Sequence, residues 1–256
     1  MSAISEWAEN LQKWAIPDEI LGQAPESPWI HPPELFVAGE TIEQSPSHQR
    51  AIEALPADGS VLDVGCGGGI AAFACASKAK TVFGVDHQSK MLEMFAQRAE
   101  KENLEHLEIL GDWLEVSAQT PLADVVTCHH VVYNVQDIVP FLLALDAHAI
   151  KRVVIEMPVS HPLANMSDAW NHFWNLDRPE KPGADDLINV LKEIGINASI
   201  EYWENSNFRK IDLELESQFM RIRLCLPETR QSEVLEYLKS RALNHTRKLA
   251  TIWWDK

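Results

Sequence analysis

The sequence predicts an α/β fold, a doubly wound, seven-stranded, mostly parallel sheet with helices on both faces, preceded by an N-terminal helical extension. Three observations predict it. Between residues 60 and 157 short apolar runs alternate with segments of helical period, the pattern of repeated βα units whose sheet is covered on both faces. The first of these runs, VLDV at 61–64, opens onto a glycine-rich turn and an alanine-rich helix. The 256 residues are 46% hydrophobic and 23% charged, enough apolar material to bury one such sheet between two helical layers.

Taken in order, Ile4, Trp7, Ala8, Leu11, Trp14 and Ala15 recur at helical spacing and predict an amphipathic helix. From Pro17 to Pro46 the chain is proline-rich and has no period, which predicts a long ordered loop or short helices, a candidate lid. Residues 1–46 are therefore set apart as an N-terminal extension, and 47–256 as the main domain. A short helix at 47–55 leads into strand 60–64, helix 69–78, strand 81–85, helix 88–102 and strand 107–110. Strand 123–128, helix 136–148 and strand 151–157 continue the alternation. Beyond a polar, aromatic-rich stretch from Ser160 to Pro182, a helix at 184–194, strands near 198–204 and 218–226 and a helix at 228–243 complete the expected sheet. No internal repeat or low-complexity tract interrupts this order.

The sharpest motif is Asp63-Val64-Gly65-Cys66-Gly67-Gly68-Gly69. Glycines there admit positive φ and a close backbone approach, and the following helix N-terminus offers free N–H groups, so a nucleotide-like ligand is expected. A dinucleotide fingerprint requires a third glycine at position 70, where this chain has Ile70, and no lysine follows as a phosphate loop requires. Asp63 places an anion where a pyrophosphate would be repelled and where the cationic amino-acid end of S-adenosylmethionine would be held. Asp86, ending the second strand ahead of His87 and Gln88, is positioned to accept both ribose hydroxyls, or to cap the next helix. Asp112 follows the third strand and can take the adenine amino hydrogen. Trp113 can pack on the ring, or simply fill the core.

Together VLDVGCGGG, the acid after the second strand and GDW after the third resemble the class I S-adenosylmethionine-dependent methyltransferase family over roughly residues 47–226. The later segments CHHVVYNVQDIVPFLLALDAHA, RVVIEMPVSHPL, LDRP and RLCLP and the terminal tryptophan pair resemble an uncharacterised group of actinobacterial type. The resemblance implies a Rossmann-like transferase using S-adenosyl-L-methionine. Asp63, Gly65, Gly67 and Gly69 would hold its amino-acid end, Asp86 its ribose, and Asp112 and Trp113 its adenine, with Cys66, His87 and Gln88 as further expected cofactor contacts.

In such a fold the methyl faces the ends of the fourth and fifth strands, where Cys128-His129-His130-Val131-Val132-Tyr133-Asn134 falls. His129, His130 and Tyr133 are the catalytic candidates: an imidazole can take the acceptor's proton, while Tyr133 and Asn134 can orient the acceptor. One histidine of the pair is expected beside the cofactor, and His129 is included among its contacts. Methyl transfer also proceeds by proximity and desolvation alone, so a structural role for the histidines stays open. Glu156, His161 and His172 rank second. An aromatic acceptor pocket is expected from Trp29, His31 and Phe36 on one side and Met157, Trp170, Phe173 and Trp174 on the other. The spacing of Trp170, Phe173 and Trp174 equally fits a core-facing helix stripe.

The formal net charge of −16 disfavours a phosphate backbone as partner and favours a small-molecule acceptor. Methylation of RNA or protein, and a non-catalytic S-adenosylmethionine-binding role, stand as alternatives. Ile70 with Asp63 counts against a nicotinamide-dependent oxidoreductase. Cys66, Cys75, Cys128 and Cys225 form no CxxC pair and no metal-type spacing, so reduced buried thiols and no metal are expected. Without a signal-like N-terminus or eighteen consecutive apolar residues, the expected location is cytoplasmic, away from the membrane. The acceptor atom and the oligomeric state are not encoded in any of these features.

Overall fold

The structure, a computed structural model, describes residues 2–28, 42–205, 212–241 and 246–256. Trp29, His31 and Phe36, with the middle of the candidate lid (29–41), lie outside the described residues. The elements run α1 (Ala3–Gln12), α2 (Asp18–Leu21), α3 (Pro46–Ala54), β1 (Gly59–Val64), α4 (Ile70–Phe73), β2 (Ala79–Asp86), α5 (Ser89–Glu102), β3 (Glu105–Leu110) and α6 (Trp113–Val116). They continue with β4 (Ala123–His129), α7 (Ile138–His148), β5 (Ala149–Pro158), α8 (Ser167–Trp174), α9 (Ala184–Glu193), β6 (Ser199–Asn205), α10 (Leu213–Arg223), α11 (Gln231–Lys239) and β7 (Arg247–Asp255).

The seven strands form one sheet in the order β3-β2-β1-β4-β5-β7-β6. β1 to β5 are parallel, and β7 runs antiparallel to both of its neighbours. Val125, Val126, Val153 and Val154 are all fully buried, as central strands sandwiched between two helical layers must be. On one face α1, α7 and α9 cover a core containing Leu62, Val126, Leu142, Leu187 and Ile252. On the other α3, α4 and α5 contribute Ala51, Leu55, Phe73, Leu92 and Phe95. The expected N-terminal helix packs on α9 and α7. Its Trp7 is fully buried and donates its indole N–H to the Val135 carbonyl at 2.8 Å.

The C-terminal third departs from the expectation. The apolar segment expected as a strand at 218–226 is the end of α10 and a turn, with Leu224, Cys225 and Leu226 buried. The last strand is 247–255, RKLATIWWD, so the sheet extends well past residue 226. Three consecutive buried apolar residues look alike whether a turn or a strand buries them, and periodicity cannot separate the two. Helices α10 and α11, inserted between β6 and β7, pack with α8 and Ile16 into a third cluster containing Met166, Trp170, Phe173 and Leu226. Among the described residues no helix is long and apolar enough to cross a membrane.

Candidate active site

Strand order reverses at β1 and β4: β2 and β3 lie on one side, β5 on the other. A crevice therefore opens beyond the carboxyl ends of the strands at that point, where ligands of open α/β sheets bind. The glycine turn lines it. Gly65, Gly67 and Gly69 have φ of +71°, +51° and +80°, and their surroundings differ. A Cβ on Gly65 would lie 2.3 Å from Val131 and one on Gly69 2.3 Å from Phe73, whereas one on Gly67 would meet nothing within 4 Å. Gly65 and Gly69 thus let the turn pack against protein, and Gly67 leaves bare backbone over open space, a cradle a ligand can enter.

The two acids beside the turn have different roles. Asp63 is 1% exposed, accepting from the Thr127 hydroxyl at 2.9 Å and from the Ala72 N–H at 3.3 Å. Burial pushes its carboxyl up to about 7 against the pull of those two bonds. It lies beneath the turn as a strut, its carboxylate oxygens taken up by protein donors. Asp86 accepts from Gly67 N–H and Gln88 N–H, both at 2.9 Å, tying the turn to the end of β2. His87 is exposed, with Nδ1 3.7 Å from Asp86, and Gln88 precedes α5 as an exposed N-cap residue. Cys66 is buried, with its thiol pushed well up by desolvation.

At the end of β3, Asp112 is exposed at the N-cap of α6 with no side-chain capping bond. Trp113 turns inward instead: it belongs to the main core and meets His148 edge-on at 4.8 Å. Its indole is a packing group and not a ring face laid open to adenine, because the single turn of α6 directs it against α7.

At the ends of β4 and β5 the register places His129 opposite Glu156. His130 Nε2 lies 3.1 Å from Glu156 Oε1, and the other carboxylate oxygen accepts from the Ser45 hydroxyl at 2.9 Å. Burial alone would raise the Glu156 carboxyl, but the bond from His130 and the neighbouring imidazoles hold it well below the usual range. His130 is a non-glycine residue at φ +60°, and its backbone N–H is fixed to the Glu156 carbonyl at 2.8 Å. Such a conformation persists where surrounding structure enforces it, and here it leaves the imidazole partly exposed at the ends of β4 and β5. His129 goes the other way. It stacks on His48 with centroids 5.5 Å apart, and burial drives its pKa down to about 3, so it is a neutral ring. His48, absent from the sequence-based candidates, is buried at the start of α3 and accepts the Ser45 N–H at Nδ1. Its only signal in sequence was Ser45-Pro46-Ser47-His48, which reads as a helix start.

Tyr133 is separated from that pair. Its ring meets His161 edge-on at 6.0 Å, and burial raises its hydroxyl pKa, so it stays protonated. Of the expected pocket aromatics, Met157 is fully buried in the main core, and Phe173 and Trp174 belong to the α8–α10–α11 cluster. Trp174 donates its N–H to the Leu224 carbonyl. Their helical spacing is a core-facing stripe. His172 packs between Phe173 and Tyr237, outside this crevice.

Residues 61–148 match the methyltransferase domain family. Across 84% of this chain and 85% of its own length, an uncharacterized protein of Haemophilus influenzae is 27% identical. A ubiquinone biosynthesis O-methyltransferase of Rickettsia canadensis is 34% identical over 107 residues, which span 42% of this chain and 43% of that enzyme. In fold the chain is similar to the magnesium protoporphyrin IX methyltransferase of Synechocystis, solved with bound SAH, at a TM-score of 0.51 and 14% identity over 86% of this chain and 91% of that one. Residues 61–148, which carry the open glycine turn tied to Asp86, are thus similar to a methyltransferase domain, set in a sheet whose seventh strand runs antiparallel to its neighbours.

Proposed function

We propose that the chain methylates a small-molecule acceptor at an atom that loses a proton during attack, with His130 as the base and Glu156 as its positioning partner. The observation that carries this reading is the His130–Glu156 pair, a partly exposed imidazole held by a buried carboxylate at the ends of β4 and β5. S-adenosylmethionine supplies an electrophilic methyl group on a sulfonium.

In this proposal Gly67 and the turn admit the amino-acid end, while Asp86, with lone pairs left after two backbone bonds, receives the ribose hydroxyls. Asp112 is at hand for the adenine amino group. Asp63 and Glu156 make the crevice negative, which favours a sulfonium-bearing ligand. His130 takes the acceptor proton on the imidazole nitrogen not bonded to the carboxylate, and the resulting imidazolium is stabilised by Glu156 at 3.1 Å. His129, held neutral by desolvation, takes no proton. The acidic net charge argues for a small acceptor over a nucleic acid.

The test is release of S-adenosylhomocysteine from S-adenosylmethionine in the presence of a bacterial metabolite extract freed of protein and nucleic acid. Turnover is expected. His130→Gln should lower kcat by about 100-fold, the typical worth of a positioned base, with S-adenosylhomocysteine affinity unchanged. Turnover only when macromolecules are restored would overturn the small-molecule reading. Full activity in the variant would remove the base.

A further inference from the structure

Glu156 is 7% exposed, and a carboxylate persists at such a place only where donors of the protein replace water. His130 meets one of its oxygens at 3.1 Å, which leaves further lone pairs to be filled. The first turn of α3 supplies the donors. The Ser45 hydroxyl donates to Glu156 Oε2 at 2.9 Å. The same hydroxyl oxygen accepts the His48 N–H at 3.3 Å, and the Ser45 N–H donates to His48 Nδ1 at 3.1 Å. Ser45 therefore caps α3 with its lone pairs and spends its hydroxyl proton on the carboxylate.

A second donor reaches Glu156 by way of β7. The pairing of β5 with β7 sets Glu156 opposite Thr251. Thr251 and Ser47 are fully buried with their hydroxyl oxygens 2.6 Å apart, and the Trp203 indole N–H, on β6, donates to Thr251 Oγ1 at 3.1 Å. The Ser47 hydroxyl in turn bonds the Glu156 carboxylate. An indole N–H only donates and a carboxylate only accepts, so both hydroxyl protons between them point toward Glu156. Bonds aligned in this way polarise one another and strengthen the last of them. The titratable groups facing Glu156 are His129 and His130 from the end of β4 and His48 from α3. Among the described residues no three such groups are arranged to hold a metal ion.

We propose that Ser45 and Ser47 are positioning residues for methyl transfer, holding the Glu156 carboxylate against His130 from the first turn of α3. Ser45 belongs to the N-terminal extension that the sequence sets apart from the main domain, so the extension completes the site. The inference rests on the methyltransferase reading with His130 as base and deepens it: a carboxylate fixed in place fixes the imidazole nitrogen that meets it and leaves the other for the acceptor's proton.

The Glu156 carboxyl carbon reports on this without any acceptor. In protein labelled with carbon-13 in its glutamate side chains, that resonance, assigned by its absence from Glu156→Gln, should not titrate between pH 4 and 8. Each donor withdrawn from a buried carboxylate is worth about one to two pH units. Ser45→Ala/Ser47→Ala should therefore raise the midpoint by about two to four units and bring protonation into the acid end of that window. Ser45→Thr, which keeps both cap and hydroxyl, should keep the flat profile. In turnover of S-adenosylmethionine the double variant should lose at least about tenfold in kcat with KM for the cofactor unchanged. If the double variant does not fold, Ser45→Asp decides: it retains an N-cap side chain but sets a second carboxylate against Glu156, and the two must share a proton between pH 4 and 8. A Glu156 signal that titrates in the natural protein, one that stays flat in whichever of these variants folds, or an unaltered kcat in the double variant overturns the inference. Full turnover by His130→Gln overturns the base reading beneath it instead, a result on which the carboxyl titration does not depend.

Discussion

Replacing Asp63 by asparagine separates the field of the glycine turn from its scaffolding. The carboxyl is 1% exposed and burial carries it to about 7, while in an unfolded chain it titrates near 3.9. Because the folded value is the higher one, its contribution to stability is fully present below about pH 4 and is lost as pH rises through 7. Three pKa units at about 1.36 kcal/mol each amount to about 4 kcal/mol. Asp63→Asn has no such group, so between pH 4 and 8 the natural protein should lose about 4 kcal/mol of unfolding free energy relative to the variant. A cationic ligand at the turn reverses the preference and draws the carboxyl into its ionised form. At a pKa of about 7 the fraction ionised rises from roughly 9% at pH 6 to roughly 75% at pH 7.5, so S-adenosylmethionine should bind about eightfold more tightly at the higher pH. Calorimetric titration of both proteins across that range measures the effect. The variant should show a flat profile, at a structural cost of about 1–3 kcal/mol because an amide nitrogen would oppose either the Ala72 N–H or the Thr127 hydroxyl. Affinity independent of pH in the natural protein, or an equal slope in the variant, would refute the argument and reduce Asp63 to a packing strut.

Asp86→Ala removes both the anchor of Gly67 and the proposed ribose acceptor. S-adenosylhomocysteine affinity should fall by about 100-fold, the loss of two hydrogen bonds to a charged group, and a change under threefold by calorimetry would exclude Asp86 from the site. Gly67→Ala and Gly69→Ala should separate binding from folding. The first meets no protein atom and carries only the left-handed backbone cost of about 1–2 kcal/mol, so it should melt near the natural protein yet lose its stabilisation by S-adenosylhomocysteine. The second drives a Cβ into Phe73 and Phe95 and should melt far lower with or without ligand. Melting curves showing the reverse order would contradict the cradle.

The parallel half of the fold was legible because each of its signals is local. Val61 to Gly69 has strand, turn and helix start within nine residues, and Asp86 and Asp112 sit at strand ends that their own apolar runs define. The seventh strand was not legible: Leu249 to Trp254 is buried on both faces and has no alternation, and Leu224 to Leu226 offered a rival apolar run nearer the preceding elements. The active-site pair was half legible. His130 follows its strand directly, but Glu156 reaches it only through the pairing of β4 with β5, and His48 arrives from a helix more than eighty residues earlier. For Trp113 the sequence left two readings open, because a tryptophan after a strand looks the same whether its ring turns outward or into α7, and the structure buries it in the core.

The same distinction separates the two halves of the site by origin. Everything proposed to hold the cofactor comes from turns that directly follow β1, β2 and β3, so it is written in short contiguous motifs, and the family match covers that span. The third core cluster instead draws Ile16 from the segment after α1, Trp170 from α8 and Leu224 to Leu226 from the end of α10, and these meet only once the helices between β6 and β7 are folded. A change in α10 or in the 175–182 loop should therefore leave cofactor affinity in place. A change in the glycine turn should abolish binding of S-adenosylmethionine for every acceptor alike. That asymmetry separates scaffold from site: the proposed cofactor contacts are carried by the strand ends, and the inserted helices can vary without disturbing them.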